Sequence, residues 1–423
     1  MRIATIALLA LACNTSQPAD PSAETDDTDG VVGPGDTDQT TDTSTPAGDD
    51  DDDDDVTTLP MPAGWNEVDD APGAAMSASM DAAFAADGTL YVSWVDDRDG
   101  EPDVYVASSV DGGVTWTAGA KVDDEATAPL VASGRQPYLT VTDTQVHLTF
   151  TTSTPSVELW TADRGAALSF AKRPIALDQD TIFVDYAKSA EAPDGTIWVT
   201  WHQFADGLEG SFQSARTSNG LAVEETVAYS GTPCECCRID LRFTDAGVAM
   251  LAFRNNETNI RNQWVLLAQP GDTTFTSARQ ASNTDWNSYT CPMQGPRLAE
   301  LSDGTQLIAF ADQSSGAWMV YLAQSSDSGV NWTGDRQILP SEGGDQRTPT
   351  IAVDADDTVW VTALLPGGYA LASSTDGGDT FTVDERLDTD PTNITEPFAV
   401  AAHGMAAVGG VSAQGRVLLR RLR

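Results

Sequence analysis

The most regular feature of the sequence is a polar tight turn followed by a short run of alternating, β-branched and aromatic residues. The clearest copy is residues 194–201 (DGTIWVTW), which predicts a strand that leaves a hairpin turn. Related segments start 47 to 57 residues apart. A repeat of this length, with several strands and no helical pattern, is typical of β-propeller blades. The segments begin at Asp87, Asp143, Asp194, Ala246, Asp303, Asp356 and His403.

The last repeat is incomplete, because only one more strand (415–422) follows the segment at 403–410. It offers three strands where a blade needs four. Residues 65–68 (WNEV) precede the first repeat and can supply the fourth. Pairing of the first strand with the last three closes the ring and removes an open sheet edge. The sequence therefore predicts an all-β chain whose residues 61–423 form a seven-bladed β-propeller, with an N-terminal strand that completes the last blade.

A second motif follows the organising strand in several repeats. The best copies are 108–116 (SSVDGGVTW), 325–332 (SSDSGVNW) and 373–381 (SSTDGGDTF). They resemble the Asp-box, or BNR repeat, of sialidases and related propellers. The resemblance implies a turn between the third and fourth strands of a blade, in which the Asp accepts backbone N–H bonds and the Gly supplies a positive φ. We therefore expect Asp111, Asp327 and Asp376 to be structural and not catalytic.

The formal net charge is −42, and part of it is local. Residues 14–55 hold 15 acidic residues and no Lys or Arg, and the remainder still carries 49 acidic residues against 21 basic ones outside the leader. Such a surface repels nucleic acids and anionic lipids, so neither is an expected partner. We expect a monomer that needs no cofactor.

Residues 1–12 predict a signal peptide, with a charged start and a short apolar stretch. The segment before Cys13 (LALAC) resembles the signal box of bacterial lipoproteins, which implies that Cys13 is lipidated and anchors the chain at the outer membrane or cell surface. An ordinary signal peptide is the alternative. Residues 13–60 are rich in Asp, Thr, Ser, Pro and Gly, which predicts a disordered acidic linker. The aspartate run 49–55 is interpreted as a solvated spacer, with calcium binding as the alternative.

Charged residues recur where the innermost strands begin, at the mouth of the predicted channel. Four arginines at one structural position can form a cage for a carboxylate, because a guanidinium binds a carboxylate through two hydrogen bonds. The arrangement resembles the arginine cluster with which sialidases hold sialic acid, and implies an acidic glycan as ligand. In the alternative interpretation each arginine pairs with a neighbouring acid. The residues are Arg135, Arg238, Arg297 and Arg347, with Asp81, Asp185 and Glu396 in the remaining blades.

The catalytic motifs of sialidases are not matched. Those enzymes use a tyrosine nucleophile with an acidic partner and a separate acid/base. Tyr138 and Tyr186 are candidates for the first role. The candidate acids are Asp81, Asp185, Asp240 and Glu396. The Arg-Ile-Pro segment that usually opens a sialidase domain is missing. Hydrolysis of an acidic glycan therefore stands beside a non-catalytic propeller that binds an acidic segment or terminal carboxylate of a protein.

The cysteines Cys234, Cys236, Cys237 and Cys291 flank the same mouth, close to Arg238 and Arg297. In an exported protein an even number of cysteines predicts disulfides. One bridge from the 234–237 cluster to Cys291 would join neighbouring blades, although the sequence does not choose the pairing. The alternative is a soft-metal site of thiolates and Met293, for example for copper(I). Trp286 and Tyr289 in the same loop are candidates for stacking on a sugar face.

Overall fold

The computed structural model describes residues 64–68, 75–76, 79–122, 129–131, 135–152, 154, 156–165, 167–175, 177, 181, 183–204, 210–218, 221–225, 232–341, 344–387, 394, 396–402 and 404–422. Every regular element in these ranges is a β-strand. No helix in this part of the chain has the length and hydrophobicity needed to span a membrane. The predicted signal peptide, the lipidation site Cys13 and the acidic linker lie outside the described residues.

The strands form seven groups in chain order. β1 (Trp65–Glu67) comes first, and blade 1 follows with β2 (Asp81–Phe84), β3 (Leu90–Asp96), β4 (Asp103–Ser109) and β5 (Ala120–Lys121). Blades 2 and 3 comprise β6 (Tyr138–Val141), β7 (Gln145–Thr151), β8 (Val157–Asp163), β9 (Ala171–Arg173), β10 (Phe183–Glu191), β11 (Ile197–Phe204), β12 (Gly210–Ser218) and β13 (Leu221–Glu225). Blades 4 and 5 comprise β14 (Asp240–Phe243), β15 (Ala249–Arg254), β16 (Gln263–Ala268), β17 (Ser277–Gln280), β18 (Arg297–Glu300), β19 (Gln306–Asp312), β20 (Met319–Ser325) and β21 (Thr333–Gln337). Blades 6 and 7 comprise β22 (Arg347–Val353), β23 (Val359–Leu365), β24 (Gly368–Ser374), β25 (Thr382–Leu387), β26 (Phe398–Ala402), β27 (Met405–Val411) and β28 (Val417–Arg421).

Each group folds into a four-stranded antiparallel sheet, and the sheets are arranged as a ring. Each innermost strand contacts the innermost strand of the next blade, in the order β2, β6, β10, β14, β18, β22 and β26. The ring closes because β26 also contacts β2. The last sheet has the order β1-β28-β27-β26, so its outermost strand comes from the other end of the propeller sequence. Trp65 lies opposite Arg420 and Glu67 opposite Leu418. The seven-bladed propeller and its closure by the N-terminal strand are thus confirmed.

The hydrophobic core of the described chain is divided into seven clusters, each between two neighbouring blades. In one cluster, Leu90 and Trp94 of blade 1 pack with Ala407 and Leu419 of blade 7. Because each sheet is covered on both faces, its middle strands are buried along their full length, as in β3. This explains why the repeated segments are nearly continuous hydrophobic runs and not strict alternations of polar and apolar residues.

The turns between third and fourth strands lie on the face opposite the starts of the inner strands. In blade 1, Asp111 Oδ1 accepts the N–H groups of Val114 and Thr115 at 3.0 and 2.9 Å. Hydrogen bonds from Thr115 and Ser109 hold the pKa of Asp111 well below its ordinary value. Asp327 and Asp376 make equivalent bonds. The three carboxylates are therefore engaged in shaping their turns.

Candidate functional site

A cavity of about 130 Å³ lies where the inner strands begin, and all seven blades contribute to its lining. The cations are Lys188, Arg238 and Arg297, and the carboxylates are Asp81, Asp240 and Glu396. The cavity therefore collects charges of both signs from five different blades. Its remaining lining residues are Met80, Ala82, Gln136, Thr348, Thr350, Ile351, Pro397, Phe398, Ala399 and Val411.

Arg297 and Lys188 share one carboxylate. Asp240 Oδ1 lies 3.6 Å from Arg297 Nη1 and 3.5 Å from Lys188 Nζ, while its Oδ2 accepts the Leu298 N–H at 2.8 Å. Both cations also lie over the ring of Tyr138, at 5.4 and 3.7 Å from its centroid, and Arg297 Nη2 donates to the Tyr138 hydroxyl at 3.2 Å. Burial alone would lower the pKa of Arg297, but Tyr138 and Asp240 raise it above its ordinary value.

Arg238 is the most deeply buried cation of the cavity. Its Nε donates to the Gly295 carbonyl at 3.4 Å and its Nη2 to the Pro349 carbonyl at 3.2 Å. Burial and the nearby charge of Arg297 lower its pKa to about 10, so it stays protonated at neutral pH. A Cβ atom at position 295 would lie 1.9 Å from the Arg238 carbonyl oxygen, so only glycine permits this approach.

The two remaining carboxylates of the cavity differ in environment from Asp240. Asp81 opens β2, and its Oδ2 accepts the Leu139 N–H at 2.9 Å. Burial raises the pKa of Asp81, although Lys188 and Arg297 oppose this shift. Glu396 enters from blade 7, and its negative charge acts to raise the pKa of Arg238. Among the cavity carboxylates, Asp81 is therefore the one in which burial stabilises the protonated form.

Three buried polar atoms of the lining have no hydrogen-bond partner among the described residues: Arg297 Nη1, Gln136 Oε1 and Thr348 Oγ1. Arg297 Nη1 is near enough to Asp240 for an ion pair but too far for a hydrogen bond. An unpaired buried polar atom costs roughly 1–3 kcal/mol. A polar ligand in the cavity that pairs with these atoms would offset that cost.

Arg135, Asp185 and Tyr186 form a separate contact outside the cavity lining. Arg135 Nη2 lies 2.5 Å from Asp185 Oδ2 and the guanidinium carbon 5.1 Å from the centre of the Tyr186 ring. Burial raises the pKa of Asp185 to about 6, against the opposing effect of Arg135. The Tyr186 hydroxyl donates to the Cys236 carbonyl at 2.8 Å. The predicted catalytic candidates Asp185 and Tyr186 therefore make contacts within the protein, and Arg135 has an acidic partner.

Arg347 and Trp286 also lie outside the cavity lining. Arg347 pairs with Asp345 at 2.8 Å and lies over the ring of Trp318. Trp286 is buried and packs edge to face on Trp318, with 5.1 Å between ring centres. Tyr289, by contrast, is 78% exposed. Of the two aromatic candidates, Tyr289 is the one whose ring is open to a ligand.

The four cysteines of the mouth form two disulfides, Cys234–Cys237 and Cys236–Cys291. The second joins the segment before β14 to the segment before β18. It therefore links blades 4 and 5 beside Arg238.

Three lining residues, Lys188, Gln136 and Thr348, are not selected by the sequence pattern. The register of β10 on β11 shifts between Asp185 and Lys188, and Tyr186 within this shift has φ +51°. The register of β22 on β23 shifts in the same way around Thr348, which has φ +47°. An extra residue in a strand changes which side chains face the cavity, and alternation along the sequence does not reveal it. The sequence feature that could have pointed to Lys188 as a cavity residue is its basic charge on an inner strand of an acidic protein.

No protein-family model and no curated protein sequence matches the chain. Solved structures do match. A polysaccharide lyase of family PL25, an ulvan lyase bound to -[GlcA(1-4)Rha3S]-, has a TM-score of 0.54 with 12% identity, over 84% of this chain and 94% of that one. The polysaccharide lyase Uly1 has a TM-score of 0.54 with 9% identity, over 82% and 89% of the two chains. A Trypanosoma rangeli sialidase in complex with sialic acid has a TM-score of 0.46 with 10% identity, over 85% and 59%. At these identities the similarity to the two lyases shows the propeller fold.

Proposed function

We propose that the cavity at the centre of the ring binds the carboxylate of an acidic glycan. The observation that carries this proposal is that the Nη1 donor of buried Arg297 has no hydrogen-bond partner among the described residues. Two further cations, Lys188 and Arg238, lie beside it in the cavity. A carboxylate accepts several charge-assisted hydrogen bonds and suits this set of donors. The glucuronate ligand named for one lyase of the same fold is consistent with the proposal.

The size of the cavity limits what enters it. Sites for drug-sized ligands typically measure about 300–1,000 Å³, and this cavity measures about 130 Å³. It accommodates an acidic group and the adjoining edge of one sugar ring, with the rest of the glycan outside. Gln136 and Thr348 offer neutral hydrogen-bonding atoms for sugar hydroxyls. The exposed ring of Tyr289 is a candidate stacking surface for outer sugars.

Hydrolysis of the bound glycan is the second candidate function. It is favoured by the raised pKa of Asp81, because a general acid must hold its proton near the working pH. In this proposal Asp81 protonates the glycosidic oxygen while a water molecule attacks the anomeric carbon of a terminal acidic sugar, in an exo-sialidase-type hydrolysis. The proton that this water loses restores the acid form of Asp81. A propeller that binds a protein's acidic segment in the same cavity is the non-catalytic alternative. In either case we propose that Cys13 anchors the chain to the outer membrane.

Binding is tested by calorimetry of residues 61–423 with glucuronate, galacturonate, sialic acid and their neutral parent sugars. We expect binding of at least one acidic sugar and none of its neutral counterpart. Arg297→Ala should abolish the signal. Arg347→Ala is the matched control, because it removes an arginine that opens an inner strand outside the cavity. Equal loss of sugar binding in both variants would overturn the proposal. So would a folded wild-type protein that binds none of the acidic sugars.

Cleavage is tested by release of fluorophore from aryl glycosides of the acids that bind. Asp81→Asn keeps the acceptor for the Leu139 N–H and removes the proton donor. We expect at least a hundredfold loss of rate in this variant, with the binding constant little changed. If the folded protein binds acidic sugars but does not cleave their glycosides, its role is binding alone. Capture of acidic peptides in preference to sugars would favour the protein-binding alternative.

A further inference from the structure

The four mouth cysteines bring their sulfur atoms into one cluster. The Sγ atoms of Cys234, Cys236 and Cys237 all lie within 4.8 Å of one another, and Cys291 is bonded to Cys236. Cys234 Sγ and Cys236 Sγ, which belong to different disulfides, are 3.8 Å apart. Cys234, Cys236 and Cys237 belong to one four-residue segment, and the bond to Cys236 brings Cys291 of a distant segment to them. The fold thus places four cysteine side chains side by side.

The 3.8 Å between Cys234 Sγ and Cys236 Sγ matches the sulfur–sulfur distance of a tetrahedral zinc site. With Zn–S bonds of about 2.3 Å, neighbouring sulfurs of a tetrahedron lie about 3.8 Å apart. We propose that in its reduced state the cluster binds one Zn²⁺ ion through Cys234, Cys236, Cys237 and Cys291, and that oxidation converts it to the two disulfides. This inference concerns a site separate from the glycan cavity and does not depend on the proposed function.

The surroundings of the cluster suit an anionic metal centre. A zinc ion with four thiolates carries a net charge of −2, whereas two disulfides are neutral. Arg261 Nη1 donates to Cys234 Sγ at 3.4 Å. Arg254, fully buried, donates to the neutral carbonyls of Gln294 and Ala311, and its own carbonyl accepts the Cys234 N–H at 2.7 Å. The positive charge of Arg261 is thus held beside a sulfur that is neutral when oxidised.

Backbone groups around the ligands are fixed in the way that metal sites require. The Tyr186 hydroxyl holds the Cys236 carbonyl, and Arg261 Nε holds the Ser288 carbonyl at 3.0 Å in the loop that carries Cys291. The Cys237 N–H donates to the Cys234 carbonyl at 3.1 Å and closes the turn between them. These bonds hold in place the backbone that carries the ligands of both segments.

The proposed conversion balances with a peroxide as oxidant. Four thiolates lose four electrons, two S–S bonds form and Zn²⁺ leaves as a hydrated ion. Two molecules of hydrogen peroxide accept the four electrons and become four hydroxide ions, which four protons convert to water.

The test uses the full chain with Cys13→Ser, so that the four cluster cysteines are the remaining thiols. The protein is reduced anaerobically with a phosphine, freed of metal and titrated with Zn²⁺ and, in parallel, with Co²⁺. We expect one ion per chain, a thiolate-to-cobalt charge-transfer band, and no binding by the oxidised protein. Peroxide should release the zinc with loss of four titratable thiols.

Cys291→Ser should weaken zinc binding at least a hundredfold, because it removes one ligand. Met293→Leu, two residues away in the same loop, is the control and should bind zinc as the parent does. A reduced, folded chain that takes up no zinc would overturn the proposal. So would binding of Cu⁺ alone, or a cobalt complex without a thiolate band.

Discussion

At the scale of single residues, Asp240 sets how strongly the cavity attracts anions. Its carboxylate faces both Arg297 and Lys188, and these three groups are nearly buried. Removal of one partner from a buried ion pair costs about 3–5 kcal/mol, because the remaining charge is left uncompensated. The same uncompensated charge would attract an external carboxylate more strongly. Stability and ligand affinity are therefore expected to change in opposite directions at this position.

The variant Asp240→Asn tests whether stability and ligand affinity change in opposite directions. The amide keeps an oxygen for the Leu298 N–H but no longer neutralises the two cations. We expect the free energy of unfolding to fall by about 3 kcal/mol and the affinity for the acidic sugar to rise about tenfold. Urea unfolding and calorimetry measure the two quantities. Unchanged affinity would mean that the ligand does not contact Arg297 and Lys188.

His147 provides a pH-dependent effect on stability. Burial, and secondly the charge of Arg173, lower its pKa to about 4, and its Nδ1 lies 2.9 Å from Thr161 Oγ1. The unfolded chain takes up this proton near pH 6.5. Between pH 6.5 and 4 the unfolded state therefore binds more protons, so stability falls as pH falls. Asp185, whose folded pKa of about 6 lies above its unfolded value, acts in the opposite direction.

His147→Asn should remove this contribution while keeping a partner for Thr161. We expect the wild-type protein to lose up to about 3 kcal/mol more stability than the variant between pH 7 and pH 4. Urea unfolding of both proteins at several pH values gives the difference, in which the effects of Asp185 and other shared groups cancel. Parallel curves for the two proteins would show that the pKa of His147 is not lowered.

At the scale of elements, the strands and their turns were predictable and the strand irregularities were not. Tight turns and hydrophobic runs are local, so the repeat at residues 194–201 and its relatives located every blade. The shifts at Tyr186 and Thr348 depend on pairing with the neighbouring strand. They decide that Lys188 lines the cavity, whereas Arg347, which the sequence selected, pairs with Asp345 outside it.

The glycine of the Asp turn in blade 5 shows how a turn joins two blades. Gly329 has φ +84°, and a Cβ atom there would lie 2.6 Å from Met250 Cε of blade 4. Gly304 has φ +86° with no atom within 4 Å of its added Cβ. Gly304→Ala should therefore cost about 1 kcal/mol from backbone strain alone. Gly329→Ala should cost about 1–3 kcal/mol more from overpacking. Equal losses of stability in urea would show that Met250 moves aside freely.

At the scale of the whole molecule, the sequence predicted the number of blades and the closure because both follow from counting strands. It placed Arg238, Arg297, Asp81 and Glu396 at one mouth, and these four line the cavity, but it did not predict that Lys188 faces Asp240. Lys188 and Asp240 lie in blades 3 and 4, and they face each other only because the ring brings the inner strands together. The same applies to Asp81, whose Oδ2 meets the Leu139 N–H of the next blade. Convergence of this kind depends on the angle between blades, which no local pattern records.

Closure by β1 should determine the stability of the ring as a whole. Trp65 is buried with Tyr369, Leu371, Val408 and Leu418 of blades 6 and 7, and Glu67 Oε2 lies 2.8 Å from Arg416 Nη2. Deletion of residues 1–68 removes this strand, and loss of a buried tryptophan alone costs about 3–5 kcal/mol. It also exposes the edge of β28 to pairing with another chain.

We therefore expect deletion of residues 1–68 to lower the free energy of unfolding by at least about 3 kcal/mol relative to the full chain. The shortened protein should also form dimers or larger species, which light scattering detects. Deletion of residues 1–60 is the matched control and should match the full chain in both measurements, because β1 is retained. A synthetic peptide of residues 61–68 added to the shorter protein should restore the monomer, since its backbone can re-pair with β28. If both deletions were equally stable and monomeric, the last blade would hold with three strands, and the N-terminal strand would contribute little to the ring.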